Sequence, residues 1–205
     1  MTVKNLTAWT EADPESRRTV TASKVAVYRQ LRGDSGGRVY TDIGAGRING
    51  FSIDLEYTPK ENSMGSGVIG SFFCICNELG DSDDFVEDYI LFNHYDENDY
   101  PVIIIVGDAS YDKSIYLSND TTYYLTVSRT KNGTTAYCYI YSDSDRNTLI
   151  DTLSATVPSN ATYRYLSISN DIDLGTYIDR YGTYDVENVD IGDLRATNIV
   201  TSLMW

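Results

Sequence analysis

Apolar and polar residues alternate strictly along several stretches of the chain. Phe51, Ile53, Leu55 and Tyr57 alternate with Ser52, Asp54 and Glu56, which predicts a half-buried strand that Pro59 ends. Between Thr121 and Val157 three such runs follow one another, at Tyr123–Arg129, Thr134–Tyr141 and Thr148–Val157. The first two flank Lys131-Asn132-Gly133, and Asn-Gly between alternating runs is a hairpin signal. In the second run Ala136, Cys138 and Ile140 line one face, and Tyr137, Tyr139 and Tyr141 line the other. Val68–Asn77 and Tyr100–Gly107 are more continuously apolar and predict buried strands. Further strands are expected around Val25–Tyr28, at Phe85–Tyr95, Lys113–Leu117, Tyr163–Ser169 and Val186–Leu194, and near Ile199–Leu203. Gly33, Gly36 and Gly37 mark one loop, Gly44 and Gly46 a second, and Asp96–Asp99 an acidic third. No amphipathic helical period of useful length interrupts this pattern. About eleven to thirteen strands with short turns predict an all-β chain, in which two antiparallel sheets bury their apolar faces against each other.

Composition supports that reading. Tyr occurs 18 times against 13 Leu, and aromatic enrichment at the expense of Leu favours strands over helices. At 205 residues the chain is expected to form a single domain, residues 1–205, with residues 1–19 as an irregular N-terminal arm anchored by Trp9. The net charge of −14 is uneven: residues 1–50 are net basic and the remainder strongly acidic. An acidic body argues against nucleic acid and anionic membranes as partners. The basic quarter is expected to dock on this acidic body or on an acidic neighbour in an assembly. No secretory leader or transmembrane run is expected. Cys74, Cys76 and Cys138 read as buried free thiols rather than a disulfide framework or a zinc site. The four Asn-x-Thr triplets, beginning at Asn5, Asn119, Asn132 and Asn160, read as turn residues.

Several segments resemble a known group. They are Thr122–Arg129, Tyr139–Asp143, Leu149–Leu153, Tyr163–Leu166 and Val186–Ile191, with Trp9–Pro14 and Val39–Gly44 near the start. Together they are similar to concanavalin A-like lectin/glucanase jelly rolls, in the versions common in bacteriophage and environmental viral sequences. The resemblance implies a two-sheet antiparallel jelly-roll sandwich. That architecture serves lectins, glycosidases, structural modules and virion proteins alike, so function has to come from side chains.

Glycoside hydrolysis needs two carboxylates facing each other across a cleft. Related glucanases place them as Glu-x-Asp-x-x-Glu on one strand. Asp54-x-Glu56 and Glu87-Asp88 do not match that spacing, and the alternation puts Asp54 and Glu56 on the solvent face. His94, the only histidine, has no nucleophile elbow to serve and reads as a strand residue. The chain is therefore expected to bind rather than catalyse. Asp143-x-Asp145-x-Asn147 has the spacing of half a calcium loop, but Thr148 stands where Gly is required and Ser154 where Glu is. The candidate Ca²⁺ ligands are instead Asp81, Asp83 and Asp84 in one acidic segment and Asp96 and Asp99 in the next. For sugars, aromatics, charges and glycine cluster most densely at Tyr177–Tyr184, making Tyr177, Asp179, Arg180, Tyr181 and Tyr184 the candidate ligand-binding residues. The expected role is a virion-surface accessory or decoration protein, homo-oligomeric, contacting capsid or tail proteins, glycans, or both. A stand-alone lectin is the alternative, and a glucanase-like hydrolase stands behind it.

Overall fold

The structure is a computed structural model, and it describes residues 5–12, 18–30, 38–60, 69–79, 89–97, 100–107, 110–168, 172–173 and 182–192. The described residues form a 3-10 turn, Leu6–Ala8, and fifteen strands. In chain order these are β1 (Thr10–Ala12), β2 (Arg18–Val20), β3 (Lys24–Gln30), β4 (Arg38–Asp42), β5 (Phe51–Pro59), β6 (Ile69–Cys76), β7 (Tyr89–Glu97) and β8 (Tyr100–Gly107). They continue with β9 (Ser110–Lys113), β10 (Tyr123–Arg129), β11 (Thr135–Tyr141), β12 (Leu149–Thr156), β13 (Tyr165–Ile168), β14 (Ile172–Asp173) and β15 (Gly182–Ile191). One sheet has seven strands in the order β12-β11-β10-β5-β15-β3-β2. The other has eight: β1-β4-β13-β6-β7-β8-β9, with β14 also paired to β6. Every strand pairing among the described residues is antiparallel, as the alternation predicts.

Register turns the period-two pattern into layers. Leu125 stands opposite Leu55 on one side and Ile140 on the other, and Val127 stands opposite Ile53 and Cys138. These side chains face Phe73, Ile75, Ile90, Phe92, Ile103 and Ile105 of the second sheet in one continuous core. Burying such rows on both sheets is what holds the layers together, because neither apolar face is stable in water.

The core has a polar centre. Tyr57 from β5 stacks on Phe72 from β6, with ring centroids 4.2 Å apart. The Tyr57 hydroxyl and His94 Nδ1 share a short hydrogen bond between the two sheets. Tyr184 from β15 stacks on His94 and donates its hydroxyl to the Ser71 carbonyl at 3.2 Å. His94 is thus a strand residue, as read from the sequence, and it lies in the core, where burial pulls its imidazole down to about 4.

The sandwich closes along one side, where β12 meets β9. Edge N–H groups there are taken by side chains of the opposite sheet's edge. Asp112 accepts from Ser154 N at 3.1 Å, and Ser110 Oγ accepts from Thr156 N at 2.6 Å. Asp151 accepts from Ile115 N at 2.9 Å. Two edges that would otherwise invite foreign strands are covered in this way. Gly107 lies at the closest approach, where a Cβ would sit 2.5 Å from the Thr156 carbonyl oxygen.

Several boundaries differ from expectation. The short strand expected at Lys113–Leu117 is Ser110–Lys113, because the Ser114 hydroxyl takes the Ile103 N–H at 2.9 Å and turns the chain away. Strand β4 lies between the two glycine-marked loops, a stretch the pattern left unassigned. β7 runs through Asp96, which pairs with Pro101 instead of lying in a loop. Residues 5–12 are not an irregular arm: Leu6 is fully buried, its N–H donates to the Ala22 carbonyl at 2.9 Å, and β1 pairs with β4. The strand expected near Ile199–Leu203 falls outside the described residues. All three cysteines are buried and free, as expected.

Two outcomes follow from this packing. The single imidazole is expected to titrate near pH 4 in the folded state, read from its C–H resonances in NMR. The unfolded chain takes that proton first, near pH 6.5, so roughly 3 kcal/mol of stability present above that pH is lost as pH falls towards 4. A folded-state midpoint near 6.5 would contradict the dry core. Gly107→Ala is expected to cost about 1–3 kcal/mol in chemical denaturation, since the β9–β12 side must open to admit a methyl group.

Candidate binding face

The outer face of the seven-stranded sheet carries the side chains that the core rejects. Across it run register rows: Tyr137, Ser128 and Ser52 in one, then Thr152, Tyr139, Thr126, Asp54 and Asp190 in the next. Tyr137 and Tyr139 lean on each other with centroids 6.0 Å apart and planes 19° from parallel. Tyr137 is 37% exposed. Beside them lies a hollow of about 240 Å³ lined by Ser52, Ser128, Thr130, Tyr137 and Tyr139, with Phe51 and Arg129 also contributing. Its walls combine flat apolar rings with short hydroxyl side chains.

The turn between β10 and β11 builds one end of the hollow. Asn132 adopts φ 59°, a left-handed conformation that Asn tolerates. Its N–H donates to Asn49 Oδ1 at 2.7 Å, while Asn49 Nδ2 donates to the Ala161 carbonyl at 3.0 Å. Gly50 allows this approach, because a Cβ there would lie 2.8 Å from Lys131 N. Arg129, buried on the opposite side of β10, ties two turns together. It donates to the carbonyls of Gly133 at 3.0 Å, Ala161 at 2.9 Å and Pro158 at 2.6 Å, and its guanidinium lies over the Tyr163 ring.

One row further along β5 the face becomes charged. Asp54 Oδ1 accepts from the Thr126 hydroxyl at 2.6 Å. Arg146 Nε lies 3.6 Å from the same oxygen, too far for a hydrogen bond, and is buried without a hydrogen-bond partner. Arg146 comes from the turn between β11 and β12 and has φ 55°. Asp143 organises that turn, accepting from Asn147 N at 3.1 Å and Thr148 N at 2.7 Å. The backbone donors, Asn147 first, hold the Asp143 carboxyl below the usual carboxylate range. Partial burial pushes the neighbouring Tyr141 hydroxyl up, with Tyr139 and Asp54 adding to it and Arg146 opposing. At the far side Asn188 Nδ2 donates to Glu56 at 2.9 Å. There Lys24 also bridges Asp185 at 2.5 Å and Glu187 at 3.1 Å.

No protein-family model and no curated protein matches the sequence. Among solved structures, the exoplasmic/lumenal domain of VIP36, in its Ca²⁺/Man3GlcNAc-bound form, superposes with a TM-score of 0.54 at 14% identity, covering 96% of this chain and 90% of that one. A sialidase gives 0.57 at 9% identity over 95% of this chain, and Trypanosoma rangeli sialidase 0.53 at 13% over 89%. The chain spans only 17% and 27% of those two sialidases. The chain folds as a concanavalin A-like jelly roll.

On this concanavalin A-like scaffold the sequence-derived candidates separate. Tyr184 is a core residue with no ring face open to a ligand. Its partners in that cluster, Tyr177, Asp179, Arg180 and Tyr181, lie outside the described residues. So do Asp81, Asp83, Asp84 and Asp99, and of Asp96 only the backbone position in β7 is described. The half calcium loop at 143–147 forms a turn in which both Asp143 oxygens accept backbone N–H groups. Among the described residues no cluster of three or more His, Cys, Asp or Glu forms a metal site. Asp54 and Glu56 share the outer face, as the alternation requires. The paired tyrosines and Arg146 lie outside the candidates that the sequence offers. The Tyr-x-Tyr-x-Tyr run of one strand face is the signal that points to the tyrosines.

Arg129→Ala is expected to cost about 3 kcal/mol or more in denaturation, because it strands three buried carbonyls in two turns. A loss below about 0.5 kcal/mol would show that the turns at the hollow are held by other contacts.

Proposed function

We propose that this chain is a non-catalytic glycan-binding domain, and that the hollow beside Tyr137 and Tyr139 is where a sugar ring rests. The observation that carries this reading is the near-parallel, partly exposed tyrosine pair facing hydroxyls of Ser52, Ser128 and Thr130. A pyranose has apolar C–H faces that suit an aromatic ring and a rim of hydroxyls that suits short polar side chains. The VIP36 likeness supports a fold on which glycans are bound. The absence of catalysis is supported by the carboxylates of this face. Asp54 is engaged by Thr126, Glu56 by Asn188, and their spacing is not that of the related glucanases.

A virion decoration role is the second reading, and it rests on the sequence resemblance. One of its motives was the basic N-terminal quarter. Within the described residues Lys24 pairs with Asp185 and Glu187, and Arg18 and Arg38 are buried. Lys24 thus docks on the chain's own acidic body, and Arg18 donates to the Ala12 carbonyl, which favours the simpler binding role.

Glycan-array screening followed by calorimetry tests the proposal. Tyr137→Ala and Tyr139→Ala are each expected to weaken binding at least tenfold, about 1.4 kcal/mol, with an unchanged melting temperature. Full binding by both variants, with loss on Tyr181→Ala, would move the site to residues 177–184 and contradict this assignment.

A further inference from the structure

The hollow lies at a basic end of an acidic molecule. Residues 43–50, 129–134 and 157–164 carry Arg47, Arg129, Lys131 and Arg164 and no carboxylate, in a chain of net charge −14. Hydrogen bonds draw these three segments together: Asn49 joins Asn132 to Ala161, and Arg129 joins Gly133 to Ala161 and Pro158. Arg47 and Arg164 flank the bridge between Ile48 and Tyr163. Arg164 is spent on Asp42. Elsewhere Lys24 pairs with Asp185 and Glu187, and Lys60 with Asp120 and Asp185. Among the described residues Arg47, Arg129 and Lys131 have no carboxylate partner. Arg129 is 2% exposed and contributes to the wall of the hollow. Its hydrogen bonds all go to carbonyls, which satisfy its donors and leave its charge in place. A buried charge without a counter-ion is unfavourable, and its field is poorly screened by the protein around it. Lys131 directly follows Thr130, and its backbone lies beside Gly50, which directly precedes Phe51. Thr130 and Phe51 both line the hollow. The Lys131 ammonium has no hydrogen-bond partner among the described residues and is not buried, so a ligand can reach it.

We infer that the glycan of this face is anionic: its carboxylate or sulfate is held at Lys131, in the positive field of Arg129 and Arg47, while its ring rests on Tyr137 and Tyr139. The inference rests on the glycan-binding reading of the hollow and adds the class of sugar. An ammonium meeting a carboxylate or sulfate oxygen makes a charge-assisted hydrogen bond, and lysine supplies it as a compact charge with three rotatable donors. A concave site under one sign of charge also gathers ligands of the other sign from solution. The face has a direction. One row along β5 stand Asp54 and, opposite it, Asp190, with Arg146 3.6 Å from Asp54. An acidic group turned that way meets like charges, so the acid lies towards the turn at Lys131 and the uncharged rim of the ring towards Ser52 and Ser128.

The test is an array of matched neutral and anionic oligosaccharides, including lactose and 3′-sialyllactose, with affinities of bound members measured by calorimetry. Sialylated, sulfated or uronic-acid members are expected to bind about tenfold or more tightly than their neutral counterparts, and added salt is expected to narrow that margin. The arms of the array tell carboxylate from sulfate. Lys131→Ala is expected to bring the anionic members down to the affinity of their neutral counterparts, with an unchanged melting temperature. Lys131→Arg keeps the charge and is expected to keep the preference. Equal or tighter binding of neutral members by the wild type, or an anionic preference that survives intact in Lys131→Ala, would overturn the inference. If Tyr137→Ala still abolished binding in that case, the glycan site itself would stand. Binding to no glycan at all would remove the site and the inference together.

Discussion

Strand β5 carries the constraint on which the rest of the molecule depends: its two faces do opposite work and neither can shift. Phe51, Ile53, Leu55 and Tyr57 enter the core, and Ser52, Asp54 and Glu56 stand on the outer face. A slip of one residue would exchange the two sets, placing two carboxylates in the dry interior. Register is held on both sides, by β10 and by β15, and across the core by the Tyr57–His94 hydrogen bond. The position of Asp54 beneath Arg146, and of Ser52 beside the hollow, follows from that fixed register.

The same division explains where stability and recognition lie. The inner rows are aliphatic and aromatic and make one continuous core. Polar groups within it are few and bonded between sheets, so they orient the layers as well as fill them. The outer face is assembled from residues that period-two geometry excludes from the core, and so it can hold rings, hydroxyls and charges at close spacing. Turns complete it. The Asn132 turn, tied down by Asn49 and Arg129, closes one end of the hollow, and the Asp143-organised turn lays Arg146 over the sheet.

Much of this was legible in the sequence. β5, β6, β8, β10 and β11 follow from uninterrupted alternation or apolar runs, and the Asn-Gly hairpin sits where the dipeptide predicts. β4 was hidden because it is short and bounded by glycines on both sides. Tyr184, expected among the ligand-binding residues, shares parity with Val186, which marks the inward face of β15. Arg129 likewise shares parity with Val127 and Leu125, and is buried because three carbonyls satisfy its guanidinium. The paired tyrosines could be placed on a face but not in a site, since a single strand does not reveal which neighbours flank it. Arg146 depends on a left-handed turn folding back over another strand, a contact no local pattern encodes.

The central claim is that ligand chemistry belongs to the outer face of the seven-stranded sheet. The most direct measurement is mapping of amide and tyrosine-ring NMR shifts while a bound oligosaccharide is titrated into the protein. The account predicts that perturbations concentrate at residues 52–54, 126–130 and 137–146. Perturbations confined to the eight-stranded sheet or to residues 174–181 would contradict it.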